Sequence, residues 1–150
     1  MELKKLSDIE IITTSNSKIN EVDFENLTFG NVFTDYMLVC DFENGAWQKP
    51  IITPYAPFLL DPSAKVFHYG QAIFEGMKAF KDNQDDVWLF RPDENFNRFN
   101  KSAKRMAMPE VPEDVFMGGL HRLLEIEKEW VKKGKGNTLY IRPFMIATGH

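Results

Sequence analysis

The most regular feature in the first third of the chain is a pair of apolar runs around a short polar stretch. Residues 32–40 are rich in strand-forming side chains, and the polar residues 43–46 that follow them contain Asn-Gly. Asn-Gly between apolar runs is the strongest short-range signal for a hairpin, so residues 32–40 are predicted to pair with residues 47–53. Residues 1–28 are mixed and polar, and we expect an irregular N-terminal arm there with one strand near residues 9–13.

A second hairpin and a closing strand are predicted further along the chain. Residues 72–80 and 87–90 are apolar runs that flank the polar residues 81–86. This pattern again indicates two antiparallel strands joined by a turn. Residues 138–148 are predicted to form one strand, and Pro143 within it should lie at a sheet edge or a bulge because proline cannot donate a ladder hydrogen bond.

Between the second hairpin and the closing strand the apolar spacing becomes helical. Pro92 begins the first predicted helix, with two acidic residues in its first turn, and Pro109 ends it. The second predicted helix runs over residues 112–130. The predicted buried faces consist of Phe96, Phe99, Ala103 and Met106 in the first helix and of Phe116, Leu120, Leu123 and Leu124 in the second.

This order of elements predicts an α+β fold. Hairpins followed by two helices and a last strand favour a mainly antiparallel sheet with helices packed on one face. The proline-rich residues 53–66 should be an extended connection. Residues 29–150 are expected to form one small domain, truncated directly after its last strand.

Composition and charge exclude several classes of function. The formal net charge of −4 argues against a nucleic-acid partner. A lone cysteine, Cys40, rules out a disulfide framework and a multi-cysteine zinc site, and the three histidines lie far apart along the chain, so no metal is expected. No secretory signal and no apolar run of membrane-spanning length is found. We therefore expect a soluble, cytoplasmic protein without a membrane partner.

Two arginines are candidates for binding an anion. Arg98 lies about a quarter turn from the predicted apolar stripe of its helix, at the boundary where a guanidinium can reach a ligand while its stem packs on the core. Arg142 stands between apolar neighbours in the closing strand. Each could equally be a solvent-facing surface arginine, and the residues alone leave both alternatives open.

Four blocks of sequence resemble the branched-chain amino acid aminotransferases. They are FGNVFTDYMLVCDFENGA (29–46), VFHYGQAIFEGMKAF (66–80), LFRPDENFNRFNKSAKRMAMPEV (89–111) and LYIRPFMI (139–146). The resemblance implies the N-terminal domain of a class IV, pyridoxal 5′-phosphate-dependent enzyme with the D-amino acid aminotransferase fold. Such an enzyme is a homodimer that transfers the amino group of leucine, isoleucine or valine to 2-oxoglutarate, with glutamate as the other amino acid.

The resemblance also implies roles for individual residues. The arginine that binds the cofactor phosphate corresponds to Arg98, and the arginine that receives the side-chain carboxylate of glutamate corresponds to Arg142. The aromatic residues that form the wall of the substrate pocket in the family correspond to Phe29, Tyr69, Phe74 and Tyr140. The alternative for these four residues is plain packing in the core.

The same resemblance leaves the catalytic centre incomplete. Glu75 and Lys78 belong to the quoted motif but receive no role. The family's Schiff-base lysine lies downstream of the YIRP strand in a larger domain, so we expect it beyond His150 and expect this chain alone to be inactive. A stand-alone binding or assembly domain without catalysis is the alternative function.

Overall fold

Both predicted hairpins and both predicted helices form in the structure, a computed structural model that describes residues 9–149. Its strands are β1 (Glu10–Ile11), β2 (Tyr36–Val39), β3 (Phe42–Glu43), β4 (Ala46–Trp47), β5 (Ile51–Pro54), β6 (Ala72–Phe74), β7 (Met77–Lys81), β8 (Val87–Leu89), β9 (Leu139–Ile141) and β10 (Phe144–Ile146). Its α-helices are α1 (Lys65–Tyr69), α2 (Pro92–Arg105) and α3 (Gly119–Ile126).

The first hairpin turns at Asn44-Gly45, as predicted. Both residues have positive φ angles, 53° and 81°, which is the conformation that favours Asn-Gly in a tight turn. β2 pairs with β5 in antiparallel register, and β3 pairs with β4 next to the turn. β1, the strand predicted in the arm, adds to β5 in parallel.

The second hairpin is also confirmed, but two predicted continuous strands are each divided. β7 lies between β8 and β9, while β6 pairs with β10. Residues 72–80 are interrupted at Glu75-Gly76, and residues 138–148 are interrupted at Arg142-Pro143. The two interruptions face each other, because Phe74 pairs with Phe144 on one side of them and Met77 pairs with Ile141 on the other.

The prediction of an extended connection at residues 53–66 is wrong at its end, where the short helix α1 begins at Lys65. The backbone N–H groups of Lys65 and Val66 donate to the carbonyl oxygens of Gly149 and Ala147. The first N–H groups of a helix have no partner within the helix. Here residues more than eighty positions away supply the acceptors, which a local sequence pattern does not reveal.

The helices cover one face of the second hairpin, which confirms the α+β class. Alternate residues of β6 and β7 face inward, and α2 and the segment 114–126 pack on them. The core contains Ile73, Met77, Ala79, Phe99, Ala103, Phe116, Leu120 and Leu124. Within residues 9–149 the expected single sheet is instead four small sheets of two or three strands each, because the strands are brief and interrupted.

The second predicted helix is present but irregular. A π-helical turn (Asp114–Gly118) precedes α3, and a 3₁₀ turn (Lys128–Trp130) follows it. A Cβ atom at Gly119 would collide with the Leu38 side chain of β2, so a glycine lets this helix approach the first sheet closely. His121 on this helix is exposed.

A pair of carboxylates joins the N-terminal arm to the end of α3. Glu127, only 2% exposed, accepts a hydrogen bond of 2.5 Å from the backbone N–H of Tyr36. Asp35 accepts hydrogen bonds from the Ser17 hydroxyl (2.6 Å) and the Trp130 indole (3.1 Å). Burial raises the pKa of Glu127 from 4.5 to about 7, although hydrogen bonds to the carboxylate oppose this effect.

The raised pKa of Glu127 predicts a pH-dependent stability. The folded state binds the proton of the Glu127 carboxyl more tightly than the unfolded state does. The stabilisation that results is fully present below pH 4.5 and is lost as the pH rises through about 7. Between pH 5 and pH 8 the wild-type chain should therefore lose roughly 2–3 kcal/mol relative to Glu127→Gln. Urea unfolding at both pH values measures the difference. Glu125→Gln, an exposed change on α3, is the control, and its free energy of unfolding relative to wild type should be the same at both pH values. The prediction is contradicted if the difference between Glu127→Gln and wild type is also the same at both pH values.

Candidate functional site

The facing strand interruptions gather most of the residues that were predicted to bind substrate. The Arg142 guanidinium carbon lies 5.1 Å from the centre of the Phe74 ring and 5.3 Å from that of Tyr140. The Phe29 ring meets the Tyr140 ring edge-on at 5.1 Å. One guanidinium thus lies against two aromatic rings, within the range of a cation–π interaction. We call these four residues the aromatic cluster.

The rings of the aromatic cluster are largely on the surface. Phe29 is 73% exposed and Phe74 is 63% exposed, so core packing does not account for them. Tyr140 is half-buried and crosses Gly76, where a Cβ atom would collide with the tyrosine hydroxyl. The missing side chain at Gly76 is therefore the local feature that lets Tyr140 lie across the strand interruption.

Tyr69 is not brought into the aromatic cluster. It is the last residue of α1 and is 77% exposed, and its ring contact is with His68 at 6.5 Å. α1 lies beyond the end of the β6–β10 ladder where Ala72 pairs with Ile146, whereas Phe74 occupies the opposite end.

An open cleft of about 430 Å³ adjoins the aromatic cluster, and Tyr140 is part of its wall. The cleft lies between β7 and the N-terminal half of α2. Three cations line it, Lys78, Arg91 and Arg98, against one carboxylate, Glu94, which pairs with Arg91 at 3.2 Å. The excess of positive charge and the guanidinium groups suit an anionic ligand.

Arg98 is held by Glu75, a residue to which the sequence assigned no role. The Arg98 Nε and Nη2 atoms donate to the two carboxylate oxygens at 2.6 and 2.7 Å. The Asn95 amide also donates to this carboxylate, at 2.8 Å. Hydrogen bonds from Arg98 lower the pKa of Glu75 despite its burial, so this carboxylate is charged at neutral pH.

A signal for Glu75 was nevertheless present in the sequence. Ile73, Met77 and Ala79 face the core at alternate positions, and Glu75 occupies the same inward series. A charged residue on an apolar strand face is rarely buried without a partner. Lys78 lines the cleft but faces outward, as its place in the alternation predicts.

Other kinds of site find no support within residues 9–149. No cluster of three or more histidine, cysteine, aspartate or glutamate side chains suited to a metal ion occurs there. Across the same residues, no helix has the length and apolar character needed to cross a membrane.

Comparison with curated proteins found bacterial aminotransferases. The chain is 55% identical over 127 residues to branched-chain-amino-acid transaminase 1 of Bacillus subtilis (strain 168), covering 84% of the chain and 36% of that relative. It is 43% identical over 146 residues to branched-chain-amino-acid aminotransferase 2 of the same strain, covering 97% of the chain and 39% of the relative. No family model matches the chain.

A more distant relative agrees with these two. The branched-chain-amino-acid aminotransferase of Mycolicibacterium smegmatis is 42% identical over 132 residues, covering 87% of the chain and 36% of that protein. The chain thus spans somewhat more than a third of the length of the curated relatives it matches.

The contact between Gly76 and Tyr140 yields a prediction about stability. Gly76→Ala should cost about 1–2 kcal/mol because the new methyl group must displace the tyrosine ring. In a Tyr140→Phe background the cost should fall by roughly half, since the hydroxyl that the methyl group meets first is gone. Denaturant unfolding of the two single variants and the double variant measures this coupling. An equal cost in both backgrounds would show that Tyr140 does not lie across Gly76.

Proposed function

Because this chain belongs by sequence to the branched-chain aminotransferases, as an N-terminal part of them, we propose that it forms part of an enzyme that transfers the amino group of leucine, isoleucine or valine to 2-oxoglutarate. One observation carries the proposal for this chain's own residues. An exposed aromatic cluster with a single guanidinium adjoins a cationic cleft. We propose further that the complete enzyme acts as a cytoplasmic homodimer.

Pyridoxal 5′-phosphate is the proposed cofactor, and the residues of the cleft suit it. Its phosphate needs cationic donors, and Arg98 offers a guanidinium whose side chain is 62% exposed at the cleft. Guanidinium groups bind phosphate through two parallel hydrogen bonds. When bound, this cofactor supplies the electron sink for bond changes at the α-carbon of the amino acid. The role proposed for Arg98 is to hold and orient it by the phosphate.

The aromatic cluster is proposed to receive the substrate side chain. Ring faces of Phe29, Phe74 and Tyr140 offer an apolar surface to a branched aliphatic group and exclude water from it. The guanidinium of Arg142 offers charge-assisted hydrogen bonds to the second carboxylate of glutamate or 2-oxoglutarate. Two different side chains can then use one pocket. Tyr69 is proposed as a further wall residue on the resemblance alone.

Removal of Arg142 tests this division of roles. In the complete gene product, Arg142→Ala should slow the half-reaction with glutamate roughly ten- to a hundredfold, because a carboxylate loses its charged partner. The half-reaction with leucine should lose much less, since only packing changes. Arg142→Lys should restore little, because lysine lacks the planar fork. Single-turnover rates with each amino acid provide the measurement.

The control is Arg122→Ala, which removes an arginine from the exposed surface of α3, where it pairs with Glu125. This variant should leave both half-reactions unchanged. Equal losses for leucine and glutamate in Arg142→Ala would mean that Arg142 supports the shape of the site without binding the carboxylate. A wild-type gene product that transfers no amino group from leucine to 2-oxoglutarate would contradict the proposed function itself.

A further inference from the structure

The buried carboxylate of Glu75 is unexplained by the roles proposed above. Its side chain is 7% exposed, whereas the side chain of Arg98 that it binds is 62% exposed. A surface arginine can be fully hydrated and needs no buried partner for its own stability. The pairing removes a carboxylate from water, which is costly and is rarely repaid by the ion pair alone. The arrangement therefore calls for a reason beyond stability.

Glu75 is held in place both through its carboxylate and through its backbone. Asn95 and Arg98, which are neighbours one turn apart on α2, both donate to it. The backbone N–H of Glu75 donates to the carbonyl oxygen of Pro143 at 2.9 Å, which anchors Glu75 at the strand interruption. Glu75 thus links α2 to the strand that carries Arg142.

This geometry leaves one edge of the Arg98 guanidinium available. A guanidinium has five N–H donors, and Glu75 engages two of them, on Nε and Nη2, so three remain on Nη1 and Nη2. Two of these three, one on Nη1 and one on Nη2, lie along the other bidentate edge of the planar group, and the third, on Nη1, points back toward the side-chain stem. Arg98 also lines the cleft. A bidentate contact on the Nε–Nη2 edge prevents rotation of the guanidinium and so fixes the orientation of its Nη1–Nη2 edge.

We propose that Glu75, held by Asn95, is a positioning residue that grips Arg98 by its Nε–Nη2 edge and presents the Nη1–Nη2 edge to the phosphate of the cofactor. This inference rests on the proposed function, in which Arg98 binds that phosphate. A carboxylate beside an anion site would by charge alone weaken anion binding. The proposal predicts the opposite effect. The fixed orientation of the guanidinium should strengthen phosphate binding by more than the partial neutralisation of its charge weakens it.

Selectivity for a phosphate group distinguishes positioning from general structural support. The apo form of the complete gene product is titrated with pyridoxamine 5′-phosphate and with pyridoxamine, which lacks the phosphate. The ratio of the two dissociation constants reports the phosphate contact alone. Glu75→Gln should lower this preference roughly tenfold, because the amide keeps one acceptor and turns a donor toward Arg98 or Asn95. The affinity for pyridoxamine should stay the same.

The control removes a negative charge from the same helix but outside the cleft. Asp93 is exposed in the first turn of α2 and is not among the residues that line the cleft. Asp93→Asn should leave the phosphate preference unchanged. Asn95→Ala loosens the carboxylate but preserves the ion pair, and it should lower the preference by about threefold. It gives the same test if Glu75→Gln does not fold, as judged by its thermal unfolding midpoint.

The outcomes separate this inference from the function on which it rests. If Arg98→Ala lowers the phosphate preference but Glu75→Gln and Asn95→Ala do not, Glu75 is only a counter-ion, and the inference fails while the role of Arg98 stands. A raised preference in Glu75→Gln would overturn it in the same way. If Arg98→Ala leaves the preference unchanged, the proposed phosphate site itself is wrong.

Discussion

The candidate site depends on one constraint, the facing interruptions in two antiparallel strands. Pro143 has no N–H to donate, so the ladder stops there, but its carbonyl oxygen accepts from the backbone of Glu75 and holds the two strands together. Both strands have two residues in the interruption, so the inward and outward alternation continues unchanged. As a result, Glu75 points toward α2, Gly76 makes room for Tyr140, and Arg142 lies against exposed aromatic rings.

Two buried carboxylates show how surroundings set the behaviour of one chemical group. Glu75 has a guanidinium and an amide as partners, and these hydrogen bonds lower its pKa and keep it charged. Glu127 accepts backbone hydrogen bonds but has no cation among its contacts in the described part of the chain, and burial raises its pKa to about 7. The first holds Arg98, which lines the cleft, and the second lies between β2 and the end of α3. Only the first is arranged to aim a charged side chain.

Local periodicity predicted much of the fold. The Asn-Gly turn and the start of α2 at Pro92 depend on neighbouring residues alone, and the structure confirms them. Helix α1 was missed because Gly149 and Ala147 supply its backbone acceptors. The proximity of Phe29 to Tyr140 is likewise a long-range contact, which motif resemblance suggested and periodicity did not. Glu75 was visible as a charge on an inward strand face, but its partner on α2 was not.

The proposed role of Glu75, at the strand interruption, is to make Arg98 offer one guanidinium edge to a phosphate. A crystal structure of the complete gene product with pyridoxal 5′-phosphate tests this role. We expect phosphate oxygens within hydrogen-bond distance of Nη1 and Nη2 of Arg98, about 2.7–2.9 Å, while Nε and Nη2 still contact Glu75. A bound phosphate with the Glu75–Arg98 pair broken, or a phosphate that does not contact Arg98, would contradict it.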